Sequence, residues 1–135
     1  MSDRNVVPVR GEADIVDARQ CGREMAEEVG INGADVTLIT TAISEVARNI
    51  IAYAKQGEIE LEVVTGERGT GLRVVARDEG PGIDDIDSAL TDGFTTSEGL
   101  GLGLPGARRL MDEFELDSEL GEGTTVTMIK WLPRS

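Results

Sequence analysis

The sequence predicts an α+β fold, a two-layer sandwich in which helices cover a mixed, mostly antiparallel sheet. Two long segments repeat apolar residues every three or four positions, while shorter segments run apolar or alternate and fall into pairs joined by glycine turns. In order, "NVVPVR" is a short apolar run whose early proline lacks a ladder donor, which suits an edge strand. From Glu12 to Val29, Ile15, Ala18, Cys21, Met25 and Val29 line one helix face, and Gly30 supplies the stop. A second helix begins near Asp35, carries Val36, Ile39, Ile43, Val46, Ile50 and Tyr53, and loses its period at Lys55-Gln56-Gly57. "EIELEVVT" and "GLRVVARD" then flank a turn from Gly66 to Gly69 as a hairpin. Pro105 suits the first turn of a third helix, and "GARRLMDEF" is a good helix former. "FELDSEL" and "TTVTMIKWL", joined by "GEG", close the fold as a second strand pair.

Composition narrows the function. With 135 residues and 39% hydrophobic content the chain can bury one core, so residues 1–135 are expected to form a single domain. A net charge of −13 repels phosphate backbones and anionic lipid, which argues against sequence-independent binding to nucleic acid or membrane. Any anionic ligand must therefore be held by local groups. The first ten residues hold no apolar signal core and no apolar run approaches a membrane span, so a cytoplasmic location is expected. Cys21 is the single cysteine and reads as core filler. With no histidine, the chain lacks the commonest catalytic base and metal ligand and cannot carry a phosphohistidine.

The candidate chemistry sits where elements end. Gly101, Gly103 and Gly106 match the G-x-G-x-x-G spacing of dinucleotide loops, but the preceding "ALTDGFTTSEG" is polar and turn-rich, and that fingerprint needs a strand there. Gly99, Gly101 and Gly103 instead alternate with leucines and lead into a helix, whose free N–H groups and dipole favour phosphates. A flexible surface loop would explain the glycines but not the alternation. Asp78 ends a strand before a turn containing Gly80 and Gly82, either as simple turn chemistry or as a carboxylate that reads an exocyclic amine of a flat base. Glu45 and Asn49 lie four apart on one helix face, off the apolar stripe. They form either a solvated polar face or a working pair, in which Asn49 offers a neutral oxygen to Mg²⁺ and Glu45 orients or deprotonates a nucleophile. Thr124 and Thr125 open the last strand.

Taken in order, "EVARN", "DEGPGI", "GLGLGL" and "GEGTT" resemble the four boxes of the GHKL ATPase/kinase superfamily with its Bergerat fold, over about Asp35 to Leu132. The resemblance implies ATP and Mg²⁺ as cofactors, with Glu45 as general base and Asn49 as Mg²⁺ ligand. It makes Asp78 the adenine-reading carboxylate, with Gly80, Gly82 and Ile83 in the adenine turn and Thr124 supporting that side. Gly99, Leu100, Gly101, Leu102, Gly103 and Leu104 would form the phosphate loop, and Asp84 to Glu98 a short lid that includes Thr95 and Thr96.

Within the superfamily, histidine kinases need a phosphoacceptor histidine, and the gyrase, mismatch-repair and chaperone types need a longer lid and a closing second domain. The chain is most similar to stand-alone serine kinases of bacterial partner-switching and stressosome systems, of the RsbT type, with Tyr53 where anti-sigma relatives commonly carry histidine. That resemblance implies a serine/threonine-protein kinase acting on a small STAS-domain antagonist. The alternatives are a nucleotide-gated switch that activates a phosphatase or other downstream regulator, an anti-sigma factor kinase, or a plain ATPase. Lys55, Arg108 and Arg109 are candidates to offset phosphate charge, or are simply solvated helix surface.

Overall fold

The computed structural model describes residues 4–80, 103–119 and 121–132. The elements run β1 (Arg4–Val9), α1 (Glu12–Glu28), α2 (Ala34–Tyr53), β2 (Gly57–Gly66), β3 (Gly69–Asp78), α3 (Gly103–Leu110), β4 (Glu113–Glu119) and β5 (Gly123–Trp131). Together they are an α+β sandwich with helices on one face of a five-stranded sheet of order β1-β2-β3-β5-β4.

The proline-bearing β1 lies at an edge, as its missing donor requires, with Pro8 opposite Glu58. β2 and β3 form the expected hairpin, closing at the Gly66–Gly69 pair. Among the described residues every strand pairing is antiparallel, so the mixed character expected of the sheet is not seen there. The reason lies in the β4–β5 hairpin. The crossover through α3 does return β4 in the direction of β3, as helical crossovers do, but β5 is laid between them and hydrogen-bonds to both.

Strand alternation sorts the side chains. In β2, Ile59 and Leu61 turn to the helices and are fully buried, while Glu58, Glu60 and Glu62 turn to the outer face. Leu72, Val74 and Ala76 of β3 and Val126 and Met128 of β5 complete the sheet's share of the core. Above them α2 contributes Val36, Ile39, Ile43, Val46 and Ile50, as its period predicts. Tyr53 departs from that stripe. As the last residue of α2 it is 40% exposed. Cys21 is half-buried and packs against the core, and burial pushes its thiol pKa up, away from the reactive thiolate.

α3 is shorter than its composition suggests and ends at Leu110. Asp112 leaves the helix because its N–H donates to the Ile129 carbonyl at 3.0 Å, and Glu113 and Phe114 belong to β4. The buried Lys130 ammonium donates to the Leu110 carbonyl at 3.1 Å, satisfying one of the open acceptors at that helix end. Among the described residues no helix is long and apolar enough to cross a membrane.

The outer sheet face is held by charge. Arg4 bonds Glu60, Arg77 bridges Glu58 and Glu60, and Arg73 bonds Glu62. Arg4 and then Arg77 hold the Glu60 carboxyl at about 2, against an ordinary value of 4.5. A depressed folded-state pKa stabilises the fold fully above 4.5, and that contribution is lost as pH falls from 4.5 toward about 2. Melting temperature across this window is therefore expected to fall more steeply for the native chain than for Glu60→Gln. Parallel curves would show that this ion pair does not govern acid sensitivity.

Candidate functional site

The site grows from the position of α2. This helix lies between α1 and α3 with the sheet beneath it, so it is enclosed on several sides, and every residue from Ala42 to Ala47 is buried. The face carrying Glu45 is turned to α3 rather than to solvent, and Glu45 is only 6% exposed. That excludes the solvated-face reading for Glu45. Asn49, one turn further on, is half-buried.

A buried carboxylate needs donors, and among the described residues Glu45 has two. Its Oε1 accepts the Gly103 N–H at 2.9 Å, and its Oε2 accepts from Arg48 Nη1 at 3.1 Å. Gly103 is the first residue of α3, so its N–H is among the open donors of that helix start. Leu104 follows as a core residue and anchors the helix start against α2.

A second hydrogen-bonded cluster forms at the paired ends of β3 and β5. Asp78 stands opposite Thr124 in the register, and its Oδ1 accepts N–H groups from both Gly80 at 3.0 Å and Thr124 at 3.2 Å. The Thr124 hydroxyl in turn lies 2.9 Å from the Ser118 hydroxyl. Two glycines make this junction sterically possible. A Cβ on Gly80 would fall 2.5 Å from the Ala54 Cβ, which shows how closely the turn after β3 presses on the end of α2. Gly123 has φ +125°, and a Cβ there would fall 2.1 Å from the Asp78 carbonyl oxygen.

The structure thus brings Glu45 together with Gly103, and Asp78 with Gly80 and Thr124. Between the clusters runs α2, which carries Glu45 and Asn49 and is capped by Ala54, nine residues or about 13.5 Å along the axis from Glu45. Gly82, Ile83, Thr95, Thr96, Gly99, Leu100, Gly101 and Leu102, with the lid span from Asp84 to Glu98, lie outside the described residues. Arg108 and Arg109 occupy the last turn of α3, away from the Gly103 amide, where cations complement the helix dipole. Lys55 sits just past α2 with φ 72°, in the left-handed region.

Arg48 is the residue that sequence reasoning missed. Its signal was available in the three-residue spacing from Glu45, but the value of that spacing depends on Glu45 being buried. Among the described residues no group of three or more cysteine or acidic side chains could enclose a metal ion. Asn49 offers a neutral side-chain oxygen one helical turn from Glu45, a donor type that a hard cation such as Mg²⁺ accepts beside phosphate and water oxygens. A cavity of about 570 Å³ shares Asp78 and Ala54 with the site, but Pro8, Arg10, Glu58 and Arg77 on its wall belong to the outer sheet face and β1 side. It is a neighbour of the Asp78 cluster rather than the space between Glu45 and Gly103.

Known proteins resemble the chain over most of its length. The family described as "Histidine kinase-like ATPase domain" matches residues 10–130. The chain is 54% identical over 132 residues to serine/threonine-protein kinase RsbT of Bacillus subtilis (strain 168), covering 98% of this chain and 99% of that one. It is 33% identical over 102 residues to the anti-sigma F factor of Thermoanaerobacter sp. (strain X514), covering 73% of this chain and 71% of the other. Among solved structures, the RsbU and RsbW domains of Rv1364c from Mycobacterium tuberculosis share the fold at a TM-score of 0.68 and 20% identity, covering 98% of this chain and 33% of that one.

Proposed function

From the premise that the chain belongs to the histidine kinase-like ATPase domain family, we propose that it transfers the ATP γ-phosphate to a serine or threonine of a small STAS-domain antagonist protein in a partner switch. It is a serine/threonine-protein kinase that works as a single cytoplasmic domain. A phosphatase or other downstream regulator is a second partner, and neither nucleic acid nor membrane takes part.

The observation that carries this reading is the meeting of the buried Glu45 carboxylate with the first N–H of α3. A base and an anion-binding helix start are brought to one point, as phosphoryl transfer to a hydroxyl requires. The adenine is assigned to Asp78, whose Oδ1 is fixed by Gly80 and Thr124 so that the carboxylate is held in place for the exocyclic amine. Gly80, Gly82, Ile83 and Thr124 flank the base. Residues 99–104 cradle the phosphates, and Thr95 and Thr96 belong to the lid. Asn49 supplies the protein oxygen to Mg²⁺, which neutralises phosphate charge in a chain that is itself strongly negative. Glu45 takes the proton of the attacking hydroxyl.

The test is label transfer from γ-labelled Mg-ATP into a recombinant STAS-domain protein. An acid-stable phosphoester that forms only with both proteins present is the expected result. Turnover of Mg-ATP with no acceptor requirement would identify a plain ATPase instead, and nucleotide binding without any transfer would leave a binding switch.

A further inference from the structure

We propose that Arg48 is the positioning residue for Glu45 during phosphoryl transfer, an inference that rests on Glu45 being the base. The two partners of the carboxylate differ in what a nucleotide would do to them. The Gly103 N–H that now binds Oε1 is an open donor at a helix start, the type of group a phosphate oxygen takes up. A phosphate bound there competes with Glu45 for the same proton donor and displaces Oε1. The Arg48 contact to Oε2 is made by a side chain of α2 itself and does not use that N–H. Arg48 lies three residues after Glu45 on the same rigid helix and keeps its place when the start of α3 changes partner.

Arg48 therefore decides where the released oxygen goes. A glutamate freed at both oxygens would turn about its side-chain torsions, whereas one held at Oε2 keeps Oε1 directed at the position that the phosphate has just entered. The acceptor hydroxyl must reach that position. Its proton passes to Oε1 as the hydroxyl oxygen bonds to the γ-phosphorus. The bond from that phosphorus to the β,γ-bridging oxygen breaks, and its electron pair leaves with ADP. Arg48 keeps its own proton throughout.

Burial separates this role from a stabilising one. The Arg48 side chain is 42% exposed while that of Glu45 is 6% exposed, and an ion pair with one partner in solvent adds little to folding. The loss on removing it should fall on orientation, where misplacement by about 1 Å can cost a hundredfold in rate.

The experiment is single-turnover transfer from γ-labelled Mg-ATP to a recombinant STAS-domain acceptor, by the native chain and by Arg48→Ala, Arg48→Lys, Glu45→Gln and the Glu45→Gln/Arg48→Ala double variant. Arg48→Ala should lower the transfer rate by about 10- to 100-fold, with the Mg-ATP Kd and the melting temperature little changed. Arg48→Lys should recover part of the loss. In the Glu45→Gln background, removal of Arg48 should cause no further fall, because it acts through the carboxylate. An Arg48→Ala rate within about twofold of native, or an equal fall in both backgrounds, overturns the proposal and leaves the kinase reading standing. A native chain that labels no acceptor overturns the kinase reading itself, and this inference with it.

Discussion

Glu45→Ala and Glu45→Gln are each expected to lower phosphoryl transfer by about 10²- to 10⁴-fold, the usual worth of a positioned general base. Nucleotide binding should survive, because Asp78 and its two N–H partners lie at the far end of α2 from Glu45. The two variants should part company in stability. Gln keeps an oxygen for the Gly103 N–H, while Ala leaves a buried donor without its charged acceptor, a loss of about 1–3 kcal/mol. Transfer rate, Mg-ATP affinity and melting temperature measured on both variants test this. If Glu45→Gln transfers phosphate at the native rate, the carboxylate is not the base. If both variants lose nucleotide affinity as well, Glu45 serves the binding site rather than the chemistry.

The second large effect is expected at Gly123. Gly123→Ala puts a methyl group 2.1 Å from the Asp78 carbonyl oxygen and 2.9 Å from the Glu79 Cα, both backbone atoms that cannot rotate away. The residue must also keep φ near +125°, which an L side chain rarely adopts. Relief comes by parting the ends of β3 and β5, and this breaks the 3.2 Å bond from the Thr124 N–H to Asp78. Strain and overpacking together should cost about 2–4 kcal/mol, or on the order of 10 °C in melting temperature for a domain of this size. Adenine-nucleotide affinity should fall with it. Calorimetry and nucleotide titration on Gly123→Ala check both, and an unchanged melting temperature would mean that the strand ends are free to adjust.

Much of this arrangement is legible in the sequence because its signals are local. The apolar period of α2 holds from Val36 to Ile50, with only Tyr53 of the expected stripe exposed, the β2–β3 hairpin turns at Gly66–Gly69, and Pro8 marks β1 as an edge strand. The parts that were not legible depend on tertiary neighbours. The insertion of β5 between β3 and β4 leaves no trace in the strand patterns, because alternation reports which face is buried and says nothing about which strand lies alongside. The end of α3 is set by the pairing of Asp112 with Ile129, which overrides good helix formers at Met111 and Glu113. Glu45 and Asn49 can be placed on one helix face from spacing alone. That the face is covered by α3, and that Arg48 thereby gains a buried carboxylate to hold, requires the packed structure.

The strand order also governs when the protein can become active as it is made. β5 is synthesised after every other described element, yet it sits in the interior of the sheet and supplies the Thr124 amide to Asp78, 46 positions earlier in the chain. Until it docks, β3 has an open edge, and Asp78 has only one of its two N–H partners among the described residues. Closing so long a loop is slow compared with forming helices or the β2–β3 hairpin. Folding kinetics should therefore show nucleotide binding appear in the slowest phase, with β5. A nascent kinase built in this way completes the Asp78 cluster only once β5 has left the ribosome.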